Sequence, residues 1–283
     1  MSNLSMENYN SSFKAYFSLF RIKAVEGFAY RLAALSGATI SIFWVLIEIL
    51  VYTVFYHHSD HPTAGLLAGL SLPQVTTYVW LAQIMFLMQP MSVDNEILSK
   101  IQSGDVALEL CRPLDLYYHW LAKNIAGRLA PLTLRGSILL FAGILAPSPY
   151  KISPPASITA LLCYLLSLIS ALLLCSVYVN LICVLRLSIN WGDGPTYILL
   201  LIGGVLSGTY LPLQLWPDFL QRFLLFQPFA GYLDIPLRFY LGTLPPDSLP
   251  WAIGLQIAWI LIFLLLGKWL MYQRLRKIIL QGG

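Results

Sequence analysis

The sequence predicts an all-α integral membrane protein with six transmembrane helices. Three observations carry this reading. Of 283 residues, 58% are hydrophobic and 11% charged, whereas soluble domains carry about a quarter charged residues. The mean hydropathy is +0.72. The apolar residues gather in six segments that meet or approach the roughly 20 residues a helix needs to cross a hydrocarbon core of about 30 Å.

The chain opens with residues 10–27, where Phe13, Tyr16, Phe17, Phe20 and Ala24 recur at helical spacing opposite Lys14, Ser18 and Arg21. That pattern predicts an interfacial helix lying along a membrane surface. No continuous apolar core occupies the first thirty residues, so no cleavable signal peptide is expected. The spans follow at 32–56, 75–93, 129–146, 156–185, 196–213 and 249–271. The fourth is long enough to tilt or to protrude. The fifth is marginal, with Gly203, Gly204 and Gly208 inside it and Pro212 at its end. The Gly204–Gly208 spacing fits a small-xxx-small contact. All of this reads as one transmembrane domain over 1–283.

Basic residues set the orientation. With the N-terminus inside, the inner side collects most of the 17 Lys and Arg, among them Lys100, Arg112, Lys123, Arg128 and Arg186. The outer loops then hold only Lys151, Arg222 and Arg238. Both termini are therefore expected in the cytoplasm.

Residues 92–113 form a polar island between the second and third spans. Asp94 is the N-cap expected of a short helix over 94–104, and Gly104 its stop. Ile97, Leu98 and Ile101 share one face, while Glu96 and Lys100 point elsewhere. On the other side, residues 214–248 are apolar but cut by prolines, and pieces such as 218–226 are too short to cross. A re-entrant pair of short helices is expected there. Trp216, Tyr232, Tyr240 and Trp251 are expected to anchor it at headgroup level.

Glu48 is the carboxylate that lies well inside a span. Its burial costs about 2.5–3.5 kcal/mol on insertion scales, so it is expected to face other protein. A pathway or proton-coupling role and a structural hydrogen bond are both open at this point, with Arg135 the partner suggested by charge. Lys123, Arg128 and Arg135 run into the third span. Snorkelling to the headgroups is the first reading, and an anionic-lipid or anionic-substrate site the second. Between spans four and five, Arg186 and Asp193 are expected to form an ion pair across a tight turn.

The four cysteines form no CxxC pair, so neither zinc nor disulfides are expected. His57, His58 and His61 with Asp60 read as a solvated loop and not as a metal site. No GxSxG, HExxH or Walker A motif is present. No catalytic residue, metal or bound cofactor is expected in this chain. Any active transport then takes its energy from another subunit or an ion gradient.

With these elements in order, the chain resembles the permease subunit of an ABC-2-type ABC transporter, more narrowly the bacterial ABC-2 permease family DUF990. The resemblance rests on the helix at 10–27 before the first span. It rests also on Gly104, Asp105 and Val106 running into Leu108, Glu109, Leu110, Cys111, Arg112, Pro113 and Leu114, and on GGVLSGTYLPLQLWP at 203–217 followed by Gln227, Pro228 and Phe229. It implies a dimeric permease of twelve helices, built from two copies or from two paralogues. Two ATP-binding subunits would hold ATP and Mg, and the function would be export across surrounding lipid. It further implies that 10–27 is an elbow helix and 94–104 a coupling helix. That helix would meet the ATPase through Asp94, Glu96, Ile97, Leu98, Lys100 and Ile101, and Gly104, Arg112 and Pro113 would form the connector back to the membrane. No nucleic-acid partner is implied. Two alternatives are a proton-coupled secondary transporter using Glu48 and a membrane-embedded lipid-modifying enzyme.

Overall fold

The computed structural model describes residues 31–58, 70–110, 114–189 and 193–281, with single positions 18, 21, 22 and 25. The expected helix at 10–27 lies outside these residues apart from those four positions. The loop holding Asp60 and His61, and the connector residues Cys111, Arg112 and Pro113, lie outside them as well.

The described residues are helical, without strands. In chain order they form α1 (Arg31–His58), α2 (Leu72–Phe86), α3 (Asn95–Ser103), α4 (Val106–Leu110), α5 (Leu116–Leu145) and α6 (Ile158–Ile189). After these come α7 (Asp193–Leu206), α8 (Asp218–Phe226), α9 (Asp234–Leu241) and α10 (Leu249–Gln281). Short 3-10 turns at Leu213–Leu215, Pro228–Tyr232 and Pro246–Ser248 join the last elements. Among the described residues, four stretches are long and apolar enough to cross a membrane: Ala34–His57, Leu116–Leu145, Ile158–Leu187 and Pro246–Arg276.

The two remaining expected spans are shorter than the sequence suggested. Residues 75–93 yield the 15-residue α2, and 196–213 yield the 14-residue α7. At about 1.5 Å per residue each is a little over 20 Å long. Both stop where another bond replaces the helical ladder. Pro90 disfavours helix just before it, and the Gln89 side-chain carbonyl accepts from the Thr209 hydroxyl at 2.6 Å. Past α7, Gly208 takes φ +90°, a conformation glycine adopts freely. Its carbonyl accepts from the buried Tyr78 hydroxyl at 2.9 Å, and the Leu206 carbonyl accepts from the Gln227 amide at 2.8 Å. Backbone groups freed by the short helices are thus satisfied by protein, as an apolar environment demands.

α6 is the axis of the fold. α5, α9 and α10 pack against it, and α1 packs on α2 and α5. Its apolar window is 72% buried, against 22% for α1 and 11% for α10, so the last two stand at the periphery. Two apolar clusters stack along this axis. One joins Tyr164 and Ala171 of α6 to Tyr78, Trp80 and Met85 of α2 and Phe239 of α9. The other joins Leu174, Tyr178 and Ile182 of α6 to Ile97, Val106, Tyr117 and Trp120. Gln256 of α10, buried in this apolar setting, donates to the carbonyls of Ser167 and Gly231.

The segment between α7 and α10 corrects the anchoring expectation in part. Tyr232 is fully buried and Tyr240 nearly so, because the turn after α8 and α9 itself pack onto α6. The Tyr240 hydroxyl donates to the Ser153 carbonyl at 3.1 Å. Trp251 stays exposed, and Phe219, Phe223 and Phe226 of α8 point outward.

Candidate functional site

The polar island folds into a tip formed by α3 and α4. The Asp94 carboxylate accepts from the Glu96 backbone N–H at 2.8 Å, which caps α3. Gly104 ends it in the left-handed conformation, φ +81°. The chain then turns straight into α4, the Ala107 and Leu108 amides donating to the carbonyls of Gly104 and Asp105.

The apolar stripe of α3 is turned toward the protein. Ile97 is fully buried, and Leu98 and Ile101 are half-buried against the same cluster as Val106 and Trp120. The sequence reading gave this stripe to a partner; in the fold it anchors the tip. Burying three apolar side chains on their own chain needs no second protein, and spacing alone does not say which neighbour covers them. The face left outward is polar, with Asn95, Ser99, Gln102 and Ser103 exposed. Beside it Leu108 of α4 is 68% exposed.

Glu96 and Lys100 are not a free rim, since both side chains are paired, although that of Glu96 is still 41% exposed. The Glu96 carboxylate receives Lys100 at 2.8 Å and Lys123 of α5 at 2.6 Å. Lys100 also reaches Glu109 of α4 at 2.7 Å, and Glu109 accepts from the Trp120 indole N–H at 2.9 Å. His119 Nε2 lies 3.8 Å from Glu109 Oε1. Two carboxylates and two ammoniums thus clamp α3, α4 and the head of α5 together. Burial alone would raise the Glu109 carboxyl, but the hydrogen bonds from Lys100 and Trp120 prevail and hold it below the ordinary carboxylate value. Burial likewise works to lower Lys100, and its bonds to Glu109 and Glu96 carry it above its usual value.

Glu109, Trp120, Lys123 and His119 were not singled out as one site by sequence reasoning. The signal open to it was Lys123, a cation in an otherwise apolar stretch that needs an acid nearby. Here the snorkelling reading fails. The Lys123 side chain is 5% exposed and paired inward. Arg128 is buried too, donating to the Asn124 carbonyl at 2.9 Å and reaching the Ser92 carbonyl at 3.5 Å, just before α3. Asn124 in turn donates to the Asn180 side chain at 3.3 Å. The expected Arg186–Asp193 pair is present, and Arg186 also donates to Thr196 at 3.2 Å.

Glu48 and Arg135 line one cavity of about 710 Å³, bounded by α1, α2, α5 and the turn after α7. They are not paired with each other. Arg135 instead donates to the Ser41 hydroxyl, which also accepts from Gln83 at 3.2 Å. Gly37 makes room for the guanidinium, since a Cβ there would sit 3.0 Å from Nη1. Glu48 lies two helical turns beyond Ser41 on the same face of α1.

The family model described as an ABC-2 family transporter protein matches residues 42–282. The chain belongs to the ABC-2 transporter family. The match takes in the α3–α4 tip, both cavity residues and the short helices before α10. Among curated proteins none matches the chain. Membership makes this an integral membrane permease, a transport component of a family that is not catalytic and normally pairs with an ATP-binding subunit. Within the permease, the tip is a polar feature built beside the long apolar helices, and the cavity is one built among them.

Proposed function

We propose that the chain is the permease of an ATP-driven exporter in a bacterial inner membrane. Two permeases, identical or paralogous, form the translocation pathway, and two ATP-binding subunits hold the nucleotide and its Mg. Both termini face the cytoplasm, residues 10–27 form the elbow helix, and α2 and α7 complete six spans with a re-entrant segment between α7 and α10. α3 is the coupling helix.

The observation that carries this reading is the ionic clamp under α3. A helix that met no partner would need no more than its apolar stripe to stay in place. Glu96, Lys100, Lys123 and Glu109 add a rigid attachment to α5, a 30-residue helix. Such an attachment suits an element that transmits force from outside the bilayer into it. The contact surface is the outward face, with Asn95, Ser99, Gln102 and Leu108, in place of the buried Ile97. The helix-in-groove mode then has a mostly polar face with one apolar side chain beside it.

The test is to coexpress Leu108→Glu and Gln102→Arg variants with the ATP-binding subunit. Both are expected to lose copurification or substrate-stimulated ATP hydrolysis while melting like the wild type. Full coupling in both variants would sink the assignment of this face.

A further inference from the structure

The cavity between α1, α2, α5 and the turn after α7 has the wrong chemistry for a simple void. Its wall is largely apolar, supplied by Trp44, Ile47, Val51, Phe55 and Leu211, yet it also holds one carboxyl group, Glu48, and one guanidinium, Arg135. Neither group is paired with the other. Glu48 is half-buried and makes no hydrogen bond or ion pair among the described residues. Arg135 spends one guanidinium nitrogen on a neutral hydroxyl, and its Nε, buried, has no partner. Charges inside a membrane protein are costly unless paired, and two opposite charges in one cavity would be expected to meet. These are held apart. Ser41, which holds Arg135, precedes Glu48 by seven residues, about 10 Å along the helix axis. Glu48 leans back toward Ser41, as helical side chains do, so the gap is somewhat less.

We propose that this cavity binds one zwitterionic amphiphile, a molecule carrying an ammonium and a phosphate or carboxylate at one end of an apolar body. The ammonium sits between the Glu48 carboxylate and the Trp44 indole, one turn apart on α1, so that ion pairing and cation–π attraction act together. The anion sits at the Arg135 guanidinium, with the amide of Gln83 nearby. The apolar body lies along Val51, Phe55 and Leu211. A purely anionic amphiphile leaves Glu48 unmatched, and a purely cationic one leaves Arg135 unmatched, so the pair selects for both charges. The assignment stands on the cavity alone and does not require the coupling role of α3.

The test uses the purified full chain in a neutral maltoside detergent, with equal amounts of phosphatidylethanolamine and phosphatidylglycerol added and bound lipid counted by native mass spectrometry. The wild type is expected to hold phosphatidylethanolamine about tenfold over phosphatidylglycerol, equivalent to about 1.4 kcal/mol. Glu48→Gln is expected to bring the two lipids level, Glu48→Lys to reverse their order, and Arg135→Met to lose both. An unchanged lipid ratio in both Glu48 variants overturns the assignment, whatever Arg135→Met does. Because no ATP-binding subunit is present, this result is separate from the fate of the coupling reading.

Discussion

Replacing Glu109 with Gln isolates the clamp, because the change keeps shape and removes one charge. In the wild type the four charges of Glu96, Glu109, Lys100 and Lys123 sum to zero. The variant leaves a surplus positive charge under the tip. The Glu109 side chain is 4% exposed and its partner Lys100 24% exposed. A fully buried pair broken on one side costs about 3–5 kcal/mol, and an exposed pair under about 1 kcal/mol. This pair lies between those limits. Lys100 retains Glu96, and the Gln carbonyl still accepts from Trp120, so the loss is close to that of one charged hydrogen bond, about 2 kcal/mol. If the tip opens locally, its opening equilibrium rises roughly 30-fold. Hydrogen exchange read by mass spectrometry should show this acceleration in peptides covering α3 and α4, with α6 peptides unchanged. A cycle with Lys100→Met should give a double variant less damaged than the sum of the singles. Unchanged exchange at the tip, or additive losses, would refute the clamp as an energetic unit.

Ile97→Ala removes a fully buried anchor and should lower thermal stability by about 2–5 kcal/mol in the purified chain; a melting temperature equal to wild type would mean the stripe is not buried in solution. Gly143→Ala should cost about 1–3 kcal/mol by overpacking. Its Cβ would meet Ile152 and lie 2.9 Å from Trp80, whose indole is tied to the Tyr150 carbonyl at 2.8 Å; a neutral effect on melting would contradict that packing. The clamp also has a defined pH window. The Glu109 value is depressed, so its contribution is present above the ordinary carboxyl value of 4.5 and fades as pH falls through the lower folded value. The Lys100 value is raised, so its contribution is complete below 10.5 and fades as pH rises through the higher folded value. Tip protection, corrected for intrinsic exchange, should be flat between those limits, and a midpoint near neutrality would point to another group.

Much of the fold could be read along the chain because its signals are local. Asp94 and Gly104 bound α3 through bonds and dihedral angles within a few residues, so cap chemistry placed both ends. The long apolar runs placed α1, α6 and α10 for the same reason. What escaped was the stopping of α2 and α7, decided by partners such as Thr209 on Gln89 that lie 120 residues apart. The site shows the same division. Ile97, Leu98 and Ile101 could be seen to share a face, but not which way that face turns. Lys123 and Arg128 read as snorkelling cations because their acceptors, Glu96 and the Ser92 carbonyl, lie 27 and 36 residues away.

By itself, then, the sequence determined that this is a helical membrane protein with a capped polar helix between its apolar segments, because hydropathy and capping act over one to twenty residues. Only the tertiary structure decided which side of that helix is free, that Glu109 and Lys123 hold it, and that Glu48 and Arg135 share a cavity without touching. Those outcomes depend on the packing of α5 and α6 against segments distant in the chain, and pairing energies across such distances leave no periodic trace in the sequence.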